Sequence, residues 1–179
     1  MLKKIALAVL AVLVIGIGGI LALAATKPDS FRVQRTATIN APAEKIFPLI
    51  TDLSGWGAWS PYEKRDPAMK RTFGQITKGK GAVYAWDGNS NVGKGRMEVT
   101  EVTPSSKVLI KLDFIEPFEA HNTAEFTLVP KGQSTDVTWA MSGPAPFISK
   151  IMQVIFNFDT MLGKDFEDGL ASLKSIAEK

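Results

Sequence analysis

Residues 5–25, IALAVLAVLVIGIGGILALAA, carry no charge and nothing more polar than glycine, and no other feature of the chain restricts its fold so strongly. As an α-helix these 21 residues reach about 31 Å, the thickness of a bilayer's hydrocarbon core. Two readings fit the run. Lys3 and Lys4 form a basic leader ahead of it, and Ala22-Leu23-Ala24 offers small residues for signal cleavage. The apolar stretch outlasts the roughly 7–15 residues of an ordinary signal core, which favours an uncleaved single-pass anchor over residues 1–26. The basic leader then predicts a cytoplasmic N-terminus with the rest of the chain outside the cytoplasm, in a bacterial envelope, although Lys27, Arg32 and Arg35 flank the other end.

The rest of the chain is close to neutral. Lys3 and Lys4 account for two of the 21 basic residues, so beyond residue 26 there are 19 basic against 18 acidic side chains. The pI near 9.1 is therefore no argument for nucleic acid, and none is expected as a partner. The chain has no cysteine and one histidine, which removes thiol nucleophiles, Cys-ligated zinc, iron–sulfur clusters and any site of two or more imidazoles. No metal and no cofactor are expected.

After a polar linker at residues 27–30, one domain is expected over residues 31–179. Residues 31–39 alternate as a half-buried strand, and Asn40-Ala41-Pro42-Ala43-Glu44 carries a helix-start signal. The helix is predicted over 42–53, with a kink or early break at Pro48. Residues 54–62, Ser-Gly-Trp-Gly-Ala-Trp-Ser-Pro-Tyr, are too rich in Gly and Pro for a long helix and too aromatic for a solvated loop. Strands are predicted over 72–76, 81–87, 95–103, 107–115, 120–129 and 135–141, with short Gly, Pro, Asn and Ser turns that make an antiparallel meander. Alternation places Val108, Ile110, Leu112 and Phe114 on one face with Asn122, Ala124, Phe126, Leu128, Val137, Trp139 and Met141. From Ile148 to Ala177 the apolar spacing is helical, and the helix should break around residues 157–163, where Asp159 or Thr160 caps its second half. The fold class is α+β: a curved antiparallel sheet wrapped around a long C-terminal helix, preceded by one transmembrane helix.

Ala41-Pro42-Ala43-Glu44-Lys45-Ile46-Phe47, Leu53-Ser54-Gly55-Trp56-Gly57-Ala58-Trp59-Ser60-Pro61, Tyr84-Ala85-Trp86-Asp87-Gly88-Asn89 with Val92-Gly93-Lys94-Gly95, Thr135-Asp136-Val137-Thr138-Trp139, and the segment 161–170 together resemble the START-like or Bet v 1-like (SRPBCC) helix-grip superfamily. The likeness is to its bacterial polyketide cyclase/dehydrase and lipid-transport branch, and it covers residues 31–178. It implies a helix-grip fold. It does not fix the function, since the superfamily includes carriers, receptors and cyclases.

The aromatic residues carry the main functional expectation. Trp56, Trp59, Tyr62, Tyr84, Trp86, Phe114, Phe126, Trp139 and Phe158 are expected to line a cavity for a hydrophobic small molecule or lipid, with the Trp N–H groups, the Tyr O–H groups and the Asn122 amide as its polar handles; the competing reading has these rings filling a solid core. A cyclase- or hydratase-like enzyme is the alternative, for which Asp87 and Glu98 are weak catalytic candidates. Asp113, Glu116 and an outward-facing His121 are weaker still. A third reading takes the segment Trp56 to Tyr62 as an exposed protein-docking patch in the envelope. Lys78-Gly79-Lys80-Gly81 and Gly93-Lys94-Gly95 lack phosphate-loop spacing and read as hairpin turns. Asp165, Glu167 and Asp168 read as a solvated helix face.

Overall fold

In the computed structural model, which describes residues 2–179, the apolar leader forms one helix, α1 (Leu2–Ala25). It is long and apolar enough to cross a membrane by length and composition, a test that a signal sequence also passes. The chain divides into two compact units, one holding the residues up to Phe31 with Pro144–Phe158, the other Arg32–Gly143 with Asp159–Lys179. In the first unit α1 accompanies a short helix, α4 (Phe147–Ile155).

The second unit is built on a seven-stranded antiparallel sheet. Its strands are β1 (Ser30–Ile39), β2 (Lys70–Phe73), β3 (Val83–Asp87), β4 (Lys94–Thr103), β5 (Lys107–Glu116), β6 (Ala120–Lys131) and β7 (Ser134–Pro144), in the order β1-β7-β6-β5-β4-β3-β2. The six strands expected after residue 70 are all present. The first of them covers Lys70–Phe73 rather than 72–76; beyond it the pairing becomes irregular, with Val83 accepting from Gly74 N–H and donating to the Ile76 carbonyl. Register shifts in the β4–β5 pair at Lys94/Gly95 and Val99/Glu101 are the bulges that let such a sheet curve. The apolar face follows the alternation of the sequence: Val108 lies opposite Phe126, Ile110 opposite Ala124, and Phe126 opposite Trp139.

Helix α2 (Ala43–Thr51) runs past Pro48 for less than one further turn, where Asp52 N–H bonds the Pro48 carbonyl and the chain tightens into a 3-10 turn, Leu53–Ala58. A short helix, α3 (Pro61–Arg65), follows. The C-terminal helix α5 (Phe158–Ala177) lies against the sheet: Phe166 stacks on Trp139 at 4.5 Å, Lys174 Nζ donates to the Thr38 carbonyl, and Asn40 N–H donates to Glu178. Only Phe156 and Asn157 separate α4 from α5, at the leading edge of the expected break. Asp159 sits inside the first turn of α5, and its carboxylate accepts from the Arg35 guanidinium at 2.9 Å.

The acidic cluster of α5 requires a correction. Glu167 and Asp168 are exposed as expected, paired with Arg35 and Lys164. Asp165 is buried, ion-paired with Arg65 and close to the Tyr62 phenol. The periodicity that scatters three acids around a helix puts one of them on the inner face, where a cation on α3 neutralises it.

Candidate ligand cavity

Between the concave face of the sheet and α5 lies a cavity of about 200 Å³. It exceeds the roughly 150 Å³ of an engineered apolar cavity that accepts benzene. Its walls are Tyr84 and Trp86 of β3, Met97 of β4, Ile110, Leu112 and Phe114 of β5, Ala124 of β6, and Trp139 and Met141 of β7; α5 contributes Leu162 and Phe166. The segment between β1 and β2 adds Trp56, Ser60, Tyr62, Glu63 and Met69, and the β3–β4 turn adds Asn91 and Val92.

Two aromatic groups frame this space. Trp56, Trp59, Phe126, Trp139 and Phe166 form one, with Trp56 and Trp59 4.8 Å apart and Phe126 stacked on Trp139 at 5.0 Å. Tyr84, Trp86 and Phe114 form the other, Trp86 lying 5.8 Å edge-on to Phe114. Of the aromatic candidates, Trp56, Tyr62, Tyr84, Trp86, Phe114 and Trp139 line the cavity. Trp59 and Phe126 are fully buried beneath it as packing. Phe158 opens α5 and is not among the lining residues.

The expected polar handles are mostly turned away from this space. Trp56 donates to the Ile50 carbonyl at 2.9 Å, Trp59 to Leu49 at 3.1 Å and Trp86 to Val92 at 3.0 Å. An indole N–H in an apolar setting takes the nearest backbone acceptor, and both the last turn of α2 and the β3–β4 hairpin supply one. Asn122 is buried but does not line the cavity. Its Oδ1 is without a hydrogen-bond partner and occupies the space of a Cβ at Gly143, only 2.0 Å from where that atom would stand.

The polar end of the cavity is Glu63, which sequence reasoning did not single out. Its carboxylate is buried, accepts from the Tyr84 hydroxyl at 2.5 Å and from Arg71 Nε at 2.6 Å, and lines the cavity wall. Ser60-x-x-Glu63 has the spacing of a capping box, yet Ser60 makes no side-chain cap. Burial and the Glu63 carboxylate push the Tyr84 phenol up; burial and the charge of Asp165 do the same for Tyr62. Both phenols therefore stay protonated hydrogen-bond donors at physiological pH.

The other candidates lie elsewhere. Asp87 pairs with Lys94 at 2.9 Å and Glu98 with Arg96 at 2.8 Å, and neither lines the cavity. His121 is exposed, with Nδ1 2.7 Å from Asp113. Trp56 and Trp59 are 5% and 1% exposed, so the segment from Trp56 to Tyr62 forms no contiguous surface patch. Gly93, at φ 61°, closes the β3–β4 turn, where no helix follows to cradle a phosphate.

Solved structures with the same architecture include a Chromobacterium violaceum protein (TM-score 0.58, 14% identity, 86% of this chain and 99% of that one). The Aha1 dimer from Colwellia psychrerythraea is similar over 83% of this chain and 96% of its own (TM-score 0.59, 18% identity). Ara h 8.0201 matches over 83% and 97% (TM-score 0.53, 11% identity). No curated protein matches the sequence. At these identities the structures establish the Bet v 1-like helix-grip fold. The family model for polyketide cyclase/dehydrase and lipid transport matches residues 30–178, and the chain belongs to that family.

Proposed function

We propose that this protein is a membrane-tethered binder of a small hydrophobic molecule or lipid, held in the cavity between sheet and C-terminal helix without covalent chemistry. The observation that carries the reading is the cavity: about 200 Å³, walled by rings and aliphatic side chains, with Glu63 as the carboxylate on its wall among the described residues. Such a site takes an apolar body of one or two rings, or the end of an acyl chain. A hydrogen-bond donor on the ligand, such as a hydroxyl, finds an acceptor in Glu63. The Arg71 ion pair fits a binding role better than an acid–base role, because the carboxylate is already engaged on both oxygens.

The length and composition of α1 support the tether, and Lys3 and Lys4 support a cytoplasmic N-terminus with the domain on the far side. The domain would then be tethered to a bilayer, where apolar ligands concentrate. Native mass spectrometry of the full chain, extracted gently from its membranes, tests the proposal. A co-purifying apolar species of defined mass is expected. Repeated recovery of ligand-free protein that also takes up no fluorescent fatty acid overturns it.

A further inference from the structure

Helix α4 exposes part of its apolar surface while burying its lysine, with Ile151, Met152 and Val154 half-buried. Its polar residues Lys150 and Gln153 are buried or half-buried, while Phe147, Ile148 and Ile155 stand 49–62% exposed, with Phe156 beyond its end. A helix in water arranges these classes the other way round. Lys150 is tied down, its Nζ reaching Asp29 Oδ1 at 2.6 Å, and Ala145 N–H, two residues before the helix, donates to the Asp29 carbonyl at 2.7 Å; Gln153 Nε2 is buried without a hydrogen-bond partner. Asp29 lies four residues beyond the end of α1, and α4 packs with α1 in the same unit. The turns of α1 near that end are the covered ones, with Ala24 buried and Ile20 half-buried, whereas most of the helix is exposed.

We propose that α4 is a second membrane-contacting element, lying in the interface at the C-terminal end of α1 with Phe147, Ile148 and Ile155 turned into the acyl boundary. The proposal rests on the reading of α1 as a membrane span. Nine residues make a helix of about 14 Å, less than half a bilayer, so α4 lies along the surface and does not cross. The occupant is lipid because α4 packs with α1 in one compact unit, and the exposed apolar surface of α1 calls for that solvent. The salt bridge to Asp29 keeps the lysine out of that solvent and fixes the helix to the end of the anchor.

The absence of native cysteine allows single labels without background. Ile148→Cys, Ile155→Cys, Val12→Cys in α1 and Gln133→Cys in the exposed β6–β7 turn are made in the full chain. Each is spin-labelled and reconstituted in vesicles of phosphatidylcholine and phosphatidylglycerol, with the unlabelled melting profile as a check on folding. Collision with oxygen, enriched in lipid, is compared with collision with an aqueous nickel chelate. At Ile148 and Ile155 the oxygen-to-nickel ratio is expected to rise severalfold above that at Gln133, towards the value at Val12. A ratio equal to that at Gln133, or shielding from both probes as in a protein–protein contact, overturns the proposal while a lipid-like Val12 leaves the span intact. An aqueous Val12 overturns both.

Discussion

Replacing Ala124 with Leu separates a cavity from a filled core by the sign of its effect. Ala124 is buried in β6 between Ile110 of β5 and Met141 of β7, and its methyl group forms part of the cavity wall. Leucine adds three carbons there. At about 0.8 kcal/mol per buried methylene the added burial is worth about 2.4 kcal/mol. Ordering the leucine side chain offsets about 0.5–1 kcal/mol of this, leaving a net gain near 1.5–2 kcal/mol. For a domain of this size that corresponds to a Tm about 3–8 °C higher. The delipidated full chain is melted while the near-ultraviolet signal of Trp56, Trp59, Trp86 and Trp139 is followed. All four report on the unit that holds the cavity. The same variant is titrated with a fluorescent fatty acid, whose affinity should fall by about tenfold, or 1.4 kcal/mol, as its space is taken. In a close-packed interior the extra carbons would instead cost about 1–3 kcal/mol. Destabilisation of that size, or stabilisation with unaltered uptake, refutes the assignment of this space as a ligand site.

Gly169→Ala should destabilise by about 1–3 kcal/mol in urea unfolding, because a Cβ there stands 2.6 Å from Trp139 Cζ3 and 3.1 Å from Pro61 Cδ and must displace the stacked rings; an unchanged midpoint would show that α5 shifts freely on the sheet. Asp165→Asn removes the charge that faces Arg65, and since that guanidinium side chain is 42% exposed the loss should be about 1–2 kcal/mol rather than the 3–5 of a fully buried pair, with equal stability as the refuting result. The Lys111 ammonium, and after it His121, holds the Asp113 carboxyl below its usual range. The folded pKa is thus the lower one, and the stabilisation is full above about pH 4 and lost as the pH falls through the folded value. Lys111→Met should therefore lower stability at neutral pH and converge with the parent in stronger acid, and stability curves that stay parallel through that range would exclude the linkage.

The sheet and its inner face were legible because a half-buried antiparallel strand writes its burial into every second residue. Leu112, Phe126 and Trp139 needed no tertiary information to be placed. The final helix was legible from the same kind of periodicity, and its interruption from length alone. Polar groups were not. Whether Asp165 faces solvent depends on Arg65, one hundred residues earlier on a five-residue helix that no periodicity announces. Glu63 was hidden for the same reason, since its significance comes from Tyr84 and Arg71 on two later strands. Trp56, Trp86 and Trp139 line the cavity while Trp59 packs beneath it, and the indole N–H groups of Trp56, Trp59 and Trp86 are held by backbone carbonyls of the nearby helix end or turn, which no sequence pattern announces.

That satisfaction bears on how the cavity can select a ligand. Trp56 and Trp86 present rings to it while their N–H groups are held by Ile50 and Val92, so an apolar guest leaves no indole donor unpaired on entry. A guest rich in polar groups finds few partners and would strand them at a cost of about 1–3 kcal/mol each. For the proposed ligand, discrimination would therefore run on shape and apolar area, with a donor tolerated opposite Glu63. Under the proposed tether, such a weakly discriminating pocket would draw on the apolar molecules of a membrane at a local concentration that water does not supply, and modest affinity would suffice to keep it occupied.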